Sequence, residues 1–72
     1  MLVVYSKKSC KKCDEVKLFL DSKNIEYVSN DITEKGSDRN FIISLGLTTV
    51  PQVFSKTGDL IGGCDETIKF YS

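Results

Sequence analysis

Residues 2–28 form the stretch that decides the fold, LVVYSKKSCKKCDEVKLFLDSKNIEYV. Its first four residues are β-formers without polar alternation, which predicts a strand buried on both faces inside a sheet. The apolar side chains of Cys13, Val16, Phe19 and Leu20 then recur at helical spacing, which predicts a helix over residues 11–22. Residues 25–28 are again rich in β-formers. The stretch therefore predicts a β-α-β unit, whose right-handed crossover makes the two strands parallel.

The rest of the chain predicts a second helix, a hairpin and a third helix. Residues 38–45 form a short amphipathic segment with an apolar stripe of Phe41, Ile42 and Leu45, and Ser37 is the expected N-cap before it. Two β-rich stretches, 53–55 and 60–61, flank a polar loop that contains glycine, which is typical of an antiparallel hairpin. Asp65 is the expected N-cap of a last short helix. The predicted order is β-α-β-α-β-β-α, an α/β fold with a four-stranded mixed sheet flanked by helices.

The composition limits what the protein can be. Its 72 residues, 8.1 kDa, allow a single domain over residues 1–72. Ten lysine and arginine residues balance ten aspartate and glutamate residues, which argues against nucleic-acid and membrane-surface partners. The apolar runs are far shorter than the roughly 18 residues of a membrane span, and the N-terminal run has no basic leader. We therefore expect a cytoplasmic monomer without nucleic-acid or membrane partners.

Three cysteines and the absence of histidine define the candidate chemistry. Cys10 and Cys13 have the spacing C-x-x-C, which in an intracellular chain indicates a reactive or metal-binding pair rather than a structural disulfide. Structural zinc takes four Cys or His ligands, so one chain cannot complete such a site and we expect no resident metal. The alternative from another class is a zinc or iron-sulfur centre that bridges two chains through Cys10.

Cys10 must be ionised to act as a nucleophile, because the thiolate is the attacking species. The N–H groups at the start of the predicted helix, and their dipole, favour a negative charge there. Four lysines lie close to it in the sequence: Lys7, Lys8, Lys11 and Lys12. We therefore predict that the pKa of Cys10 lies below the usual value of about 8.5. Cys13, one turn later on the apolar side, is expected to be less exposed and to resolve mixed disulfides formed by Cys10.

Three segments carry a family resemblance: KKSCKKC at residues 7–13, TVP at 49–51 and GGCD at 62–65. In this order and spacing they resemble the glutaredoxin family, part of the thioredoxin-like group, over nearly the whole chain. The resemblance implies a thioredoxin-like fold with a cis peptide bond before Pro51. It also implies a small dithiol enzyme, a thiol–disulfide oxidoreductase with glutathione as co-substrate and no tightly bound cofactor.

The resemblance further implies a glutathione site. Lys7 would meet the glycine-end carboxylate, and the main chain of Val50 would pair with the cysteinyl main chain. The N–H groups of Cys64 and Asp65 would hold the γ-glutamyl carboxylate, and the Asp65 side chain would take the amine. Cys64 itself is expected to be a small, partly buried side chain without a catalytic role. The alternatives are a solvated Lys7 and an Asp65 that only caps its helix. The expected glutathione-binding residues are Lys7, Thr49, Val50, Pro51, Gly63, Cys64 and Asp65.

The sequence departs from the family pattern between the two cysteines. Lys11 and Lys12 stand where the family commonly has proline and an aromatic residue, so the loop loses rigidity and a stacking surface. Arg39 or Asn40 could add a glutathione contact, but the register of the second helix does not decide between them.

The expected substrates are disulfide-containing proteins, with ribonucleotide reductase as one candidate. The nearest alternative is a redoxin that takes electrons from thioredoxin reductase to serve ribonucleotide reductase; such proteins tend to lack the Lys7 type of glutathione contact.

Overall fold

The computed structural model describes residues 1–72, and its order of elements is the predicted one. The strands are β1 (Leu2–Ser6), β2 (Tyr27–Asp31), β3 (Gln52–Phe54) and β4 (Leu60–Gly62), and the helices are α1 (Lys11–Ser22), α2 (Ser37–Ser44) and α3 (Cys64–Tyr71). The sheet order is β2-β1-β3-β4, with β1 parallel to β2 and the other neighbours antiparallel. The mixed sheet and the interior position of β1 are confirmed. None of the three helices is long and apolar enough to cross a membrane.

The larger hydrophobic cluster joins one face of the sheet to α1 and α3. Val4 on β1, Val16 and Leu20 on α1, and Val53 on β3 have no exposed surface. Cys64, the first residue of α3, is 4% exposed in the same cluster. Burial of each such aliphatic side chain stabilises the fold by roughly 1.5–3 kcal/mol. This packing fixes the starts of α1 and α3 on the same face of the sheet.

The smaller cluster lies on the opposite face of the sheet, under α2. It is built on Ile32, Ile42 and Phe54, with Tyr5 packed against it. Ile42 is the buried residue of α2, whereas Phe41 is 42% exposed and packs its ring near those of Tyr5 and Phe54. The apolar stripe predicted over Phe41, Ile42 and Leu45 is therefore wrong in two of its three members, because Leu45 is 49% exposed as well and only Ile42 is buried. This cluster holds α2 beside the loop that precedes β3.

The predicted start of β2 is wrong by two residues. Asn24 adopts a left-handed conformation with φ 57°, and the N–H of Ile25 donates to the carbonyl of Leu20 at 2.9 Å. Ile25 therefore belongs to the turn that closes α1, and pairing with β1 begins at Tyr27. The strand continues to Asp31 although its last residues are polar, because β2 is an edge strand with exposed positions.

Both predicted helix caps, Ser37 and Asp65, are wrong. Gly36 precedes α2 as its N-cap, and Ser37 is the first helical residue. Gly63 occupies the N-cap of α3. In each case the glycine carbonyl accepts the first intrahelical hydrogen bond. The prediction relied on the preference of N-cap positions for serine and aspartate, and here no side chain makes the cap. Asp65 lies in the first turn of α3, where its charge favours the helix start.

Candidate active site

Cys10 is the N-cap residue of α1, at the end of the loop that follows β1. Its backbone is extended, and its Sγ accepts a hydrogen bond from the N–H of Cys13 at 3.1 Å. Its carbonyl accepts the N–H of Asp14 at 3.1 Å. The sulfur thus occupies the place of a capping serine or aspartate oxygen, where helix N–H groups favour negative charge. The geometry suits a nucleophilic thiolate, and the lowered pKa of Cys10 stays a prediction.

Cys13 is the partner of Cys10 in a disulfide, with the two Cα atoms 5.2 Å apart. Its side chain is 1% exposed, whereas Cys10 is half-buried. The predicted difference in exposure between the two sulfurs is therefore confirmed. The sulfur of Cys10 is accessible to a large substrate, whereas the sulfur of Cys13 is shielded from it and can react with a disulfide formed on Cys10.

The loop before β3 lies against Cys10. The Val50–Pro51 peptide bond is cis, as the resemblance implied, and the carbonyl oxygen of Val50 lies 3.9 Å from the Sγ of Cys10. The buried Gln52 donates through Nε2 to the carbonyl of Thr49 at 2.9 Å and to its Oγ1 at 3.2 Å. Sequence reasoning missed Gln52; the only signal was a polar residue at the start of a buried strand. It holds the loop in place next to the thiol.

A pocket of about 260 Å³ opens between this loop and α2. Lys7 and Arg39 line it with positive charge, while Ile42 and Leu47 give it an apolar wall. The guanidinium of Arg39 donates to the carbonyl of Thr33 at 3.4 Å, which orients the side chain. Two cations beside an apolar wall suit a small ligand with a carboxylate. Sequence reasoning named Arg39 without assigning it; its spacing of three residues from Ile42 on the helix was the signal.

The N-terminus of α3 lies beside the same loop. A Cβ placed on Gly63 would come within 3.5 Å of the Pro51 carbonyl. The N–H of Gly63 donates to the carboxylate of Glu66 at 2.7 Å. The N–H groups of Cys64 and Asp65 belong to the first helical turn, which has no intrahelical acceptor for them. They can therefore receive an anion, the role that the family resemblance implied for this position.

Cys64 is a buried thiol outside the C-x-x-C pair. Its Sγ donates to the carboxylate of Glu15 at 3.3 Å. Burial first, and then this carboxylate, raise the pKa of Cys64 to about 11, so the thiol stays protonated near neutral pH. Glu15, Cys64 and Asp65 bring their ligand atoms within 4.8 Å of one another, but such a site would need the thiolate that this environment disfavours. The structure agrees with a packing role for Cys64.

Lys12 has partners that sequence reasoning did not predict. Its Nζ lies 3.6 Å from the carboxylate of Asp65 and 3.8 Å from that of Glu15. These two carboxylates, Asp65 foremost, raise the pKa of Lys12. The charge of Lys12 is thus shared with α3 and with Glu15, and its expected support of the Cys10 thiolate is weaker than the sequence suggested. Asp65 likewise already has an ammonium partner.

Comparison with known proteins decides the family. A family model described as Glutaredoxin matches residues 2–61. The chain belongs to the glutaredoxin family. It is 36% identical over 69 residues to Glutaredoxin 1 of Rickettsia prowazekii, covering 90% of this chain and 70% of that protein. It is also 35% identical over 66 residues to the N-acetyl-S-hydroxy-L-cysteine reductase of Bacillus subtilis, with 90% and 71% covered.

The same family includes solved structures with a very similar fold. The structure of a buckwheat glutaredoxin–glutathione complex superposes with a TM-score of 0.80 at 33% identity, covering 97% of this chain and 66% of that one. The thioredoxin-like fold predicted from the sequence is confirmed. Family membership and the close Cys10–Cys13 pair make the protein a C-x-x-C thiol–disulfide oxidoreductase.

In this glutaredoxin-family chain, the loop at residues 49–51 connects Cys10 with the pocket and with the start of α3. Val50 contacts the sulfur, Lys7 lines the adjacent pocket, and Gly63 reaches the loop from α3. Thr49, like Val50, lines the pocket and is held by a buried glutamine. The glutathione-binding roles of these residues stay predictions; the structure places Arg39 rather than Asn40 in the pocket and adds Gln52 and the pairing of Lys12.

Proposed function

We propose that this protein is a dithiol glutaredoxin that reduces glutathione mixed disulfides and protein disulfides with glutathione as electron donor. One observation carries the proposal: the Cys10 sulfur lies at a helix N-terminus, 3.9 Å from the carbonyl oxygen of Val50, and Val50 in turn lines the cationic pocket that contains Lys7. The loop at Val50 and Pro51 thus adjoins both a pocket with cationic groups and the free N–H groups at the start of α3, which are the groups that a peptide with two carboxylates requires.

With a glutathione mixed disulfide, the Cys10 thiolate attacks the glutathione sulfur. The substrate S–S bond breaks, a Cys10–glutathione disulfide forms, and the substrate leaves as a thiolate that takes up a proton. A second glutathione thiolate then attacks the glutathione sulfur of this intermediate. Oxidised glutathione is released and the Cys10 thiolate returns, stabilised by the N–H of Cys13.

With a protein disulfide, Cys10 first forms a mixed disulfide with one substrate sulfur and releases the other. The Cys13 thiolate then attacks the Sγ of Cys10, which frees the substrate and leaves the Cys10–Cys13 disulfide. Two glutathione molecules restore the dithiol, the first by forming a Cys10–glutathione disulfide and the second by releasing oxidised glutathione. Burial of Cys13 supports its role as the resolving sulfur, because bulky substrates reach Cys10 first.

Each part of glutathione has a proposed partner. Lys7 and Arg39 would bind the glycine carboxylate, and the main chain of Val50, between Thr49 and Pro51, would pair with the cysteinyl unit. After Gly63, the N–H groups of Cys64 and Asp65 would hold the γ-glutamyl carboxylate, and the Asp65 side chain would take the γ-glutamyl amine. The pocket charges and the unpaired first turn of α3 support these assignments. The glutathione complex of the buckwheat relative supports the ligand class.

The test is reduction of a glutathionylated peptide by the wild-type protein and by Cys13→Ser and Cys10→Ser variants. We expect the wild type and Cys13→Ser to reduce the peptide, and Cys10→Ser to be inactive. A protein disulfide should be reduced by the wild type alone, because it needs Cys13. Absence of turnover with the peptide in both the wild type and Cys13→Ser would overturn the proposal.

The electron donor is tested separately. Lys7 and the free first turn of α3 favour glutathione over thioredoxin reductase, and a cytoplasmic location suits the reaction because thiols are kept reduced there. In a coupled assay, we expect glutathione with glutathione reductase to support turnover and thioredoxin reductase alone to give none. Efficient turnover with thioredoxin reductase alone would make the protein a redoxin instead. Ribonucleotide reductase is a candidate substrate in either case.

A second function is favoured by the pairing of Lys12 with Asp65 together with one relative. An N-acylated cysteine has a carboxylate for the cationic pocket and no ammonium that needs Asp65. The Bacillus subtilis relative is a reductase of N-acetyl-S-hydroxy-L-cysteine. In such a reaction the Cys10 thiolate attacks the S-hydroxyl sulfur and displaces hydroxide, which takes up a proton to become water. Cys13 then attacks the Sγ of Cys10, which releases the free thiol and leaves the Cys10–Cys13 disulfide for glutathione to reduce. Turnover of this compound exceeding that of the glutathionylated peptide would favour the second function.

A further inference from the structure

Lys12 links the C-x-x-C segment to α3. The residue precedes Cys13, and its Nζ lies 3.6 Å from the Oδ1 of Asp65 and 3.8 Å from the Oε2 of Glu15. Glu15 is held in turn by the hydrogen bond from the buried thiol of Cys64 at 3.3 Å. The ammonium therefore lies over the start of α3, between two carboxylates from different helices.

We infer that Lys12 determines thiol specificity by competing with the substrate ammonium for Asp65. The inference rests on the proposed function, in which Asp65 would take the γ-glutamyl amine. A bound amine must share this carboxylate with Lys12 or displace it. Lys12 thus lowers the preference for thiols that carry an ammonium at this end.

The same ammonium favours a carboxylate at this end. Lys12 adds positive charge beside the N–H groups of Cys64 and Asp65, which are the proposed anion-binding groups of α3. The favoured ligand class is therefore an acylated cysteine peptide whose acyl group ends in a carboxylate without a neighbouring amine. Glutathione differs from this ligand class only by its amine.

The competition adjusts specificity without blocking glutathione. The side chains of Lys12 and Asp65 are 57% and 80% exposed, so the ion pair is solvated and weak. A lysine displaced from Asp65 keeps Glu15 as its partner. The expected effect is therefore a change of a few fold in the relative use of two substrates.

The experiment compares two mixed disulfides of one reporter peptide. One carries glutathione, and the other carries glutaryl-cysteinylglycine, which lacks only the amine. We expect Lys12→Gln to raise the ratio of kcat/KM for the glutathione substrate over the amine-free substrate by about two- to fivefold, through KM rather than kcat. Lys12→Arg keeps the ion pair and should keep the wild-type ratio.

Two controls separate this role from a general charge effect. Lys11→Gln removes the same charge from the same segment and should change both kcat/KM values together. In an Asp65→Asn background, Lys12→Gln should leave the ratio unchanged, because the contested carboxylate is gone. An unchanged ratio in Lys12→Gln, or an equal change in Lys11→Gln, would overturn the inference. If the wild type reduces neither substrate, the proposed function fails instead.

Discussion

The backbone N–H of Cys13 donates to the Sγ of Cys10 at 3.1 Å, so the sulfur proposed as nucleophile is also the cap of α1. The Cys10 Sγ therefore contributes both to the stability of α1 and to the proposed reaction. The N–H groups that would stabilise the attacking thiolate are the ones that α1 leaves without an internal acceptor. Removing the sulfur should affect folding as well as turnover.

The capping role predicts different stabilities for two inactive variants. In the reduced protein, Cys10→Ala should lower the free energy of unfolding by about 1 kcal/mol relative to Cys10→Ser, because a hydroxyl oxygen can accept the N–H of Cys13 and a methyl group cannot. Urea unfolding with excess reductant measures the difference. Equal stabilities would show that the sulfur does not cap the helix.

Gly62 is predicted to be intolerant of a side chain. Its φ is +131°, and a Cβ there would lie 2.7 Å from the Cβ of Glu66 on α3. We expect Gly62→Ala to lower the free energy of unfolding by about 1–3 kcal/mol. Gly36→Ala is the control, since a Cβ at Gly36 meets no atom within 4 Å; because alanine is a poorer N-cap than glycine, it should still cost roughly 0.5–1 kcal/mol, less than Gly62→Ala. Thermal or urea unfolding would compare them, and similar losses in both variants would contradict the prediction.

Arg39 should contribute to ligand affinity. Arg39→Gln removes one of the two cations proposed to bind the glycine carboxylate of glutathione. We therefore expect it to raise KM for a glutathionylated peptide about two- to tenfold while kcat stays near the wild-type value. Lys35→Gln removes an equal charge outside the pocket and should leave KM unchanged. Steady-state kinetics at low ionic strength would measure both. A fall confined to kcat in Arg39→Gln would exclude a binding role.

Cys64 should make the protein less stable at high pH. Its pKa is about 11 in the folded protein against an ordinary value of 9.0, so the folded state holds this proton more tightly than the unfolded state does. The stabilisation is complete below pH 9 and is lost as pH rises towards 11. We expect the free energy of unfolding to fall more steeply from pH 8.5 to 10.5 in the wild type than in Cys64→Ala. Parallel curves in urea unfolding would contradict the raised pKa.

Local sequence signals were sufficient for the architecture and for the reactive pair. The spacing of apolar residues over residues 2–28 was enough to predict α1 and β1. In the structure, Asn24 ends the helix in the left-handed conformation that asparagine tolerates. The C-x-x-C spacing placed Cys10 just before the start of the helix and Cys13 on its apolar side, and the structure shows Cys10 as the N-cap and Cys13 as buried. These features depend on neighbours within one or two turns.

The remaining features depend on contacts between elements distant in sequence. The partner of Lys12 on α3 follows from how α1 and α3 pack on the sheet, which no local pattern specifies. The entry of Arg39 into the pocket depends on the rotation of α2 over the sheet, which its single buried residue, Ile42, determines. Tertiary packing thus decided the charges around a thiol that local sequence had already located.

The burial of Cys13 and Cys64 has a practical consequence for the reduced protein. A maleimide dye added in neutral buffer should attach once per molecule, at Cys10, although the chain contains three cysteines. The native fold thereby provides a single attachment point for a fluorophore or a spin label without any engineered residue.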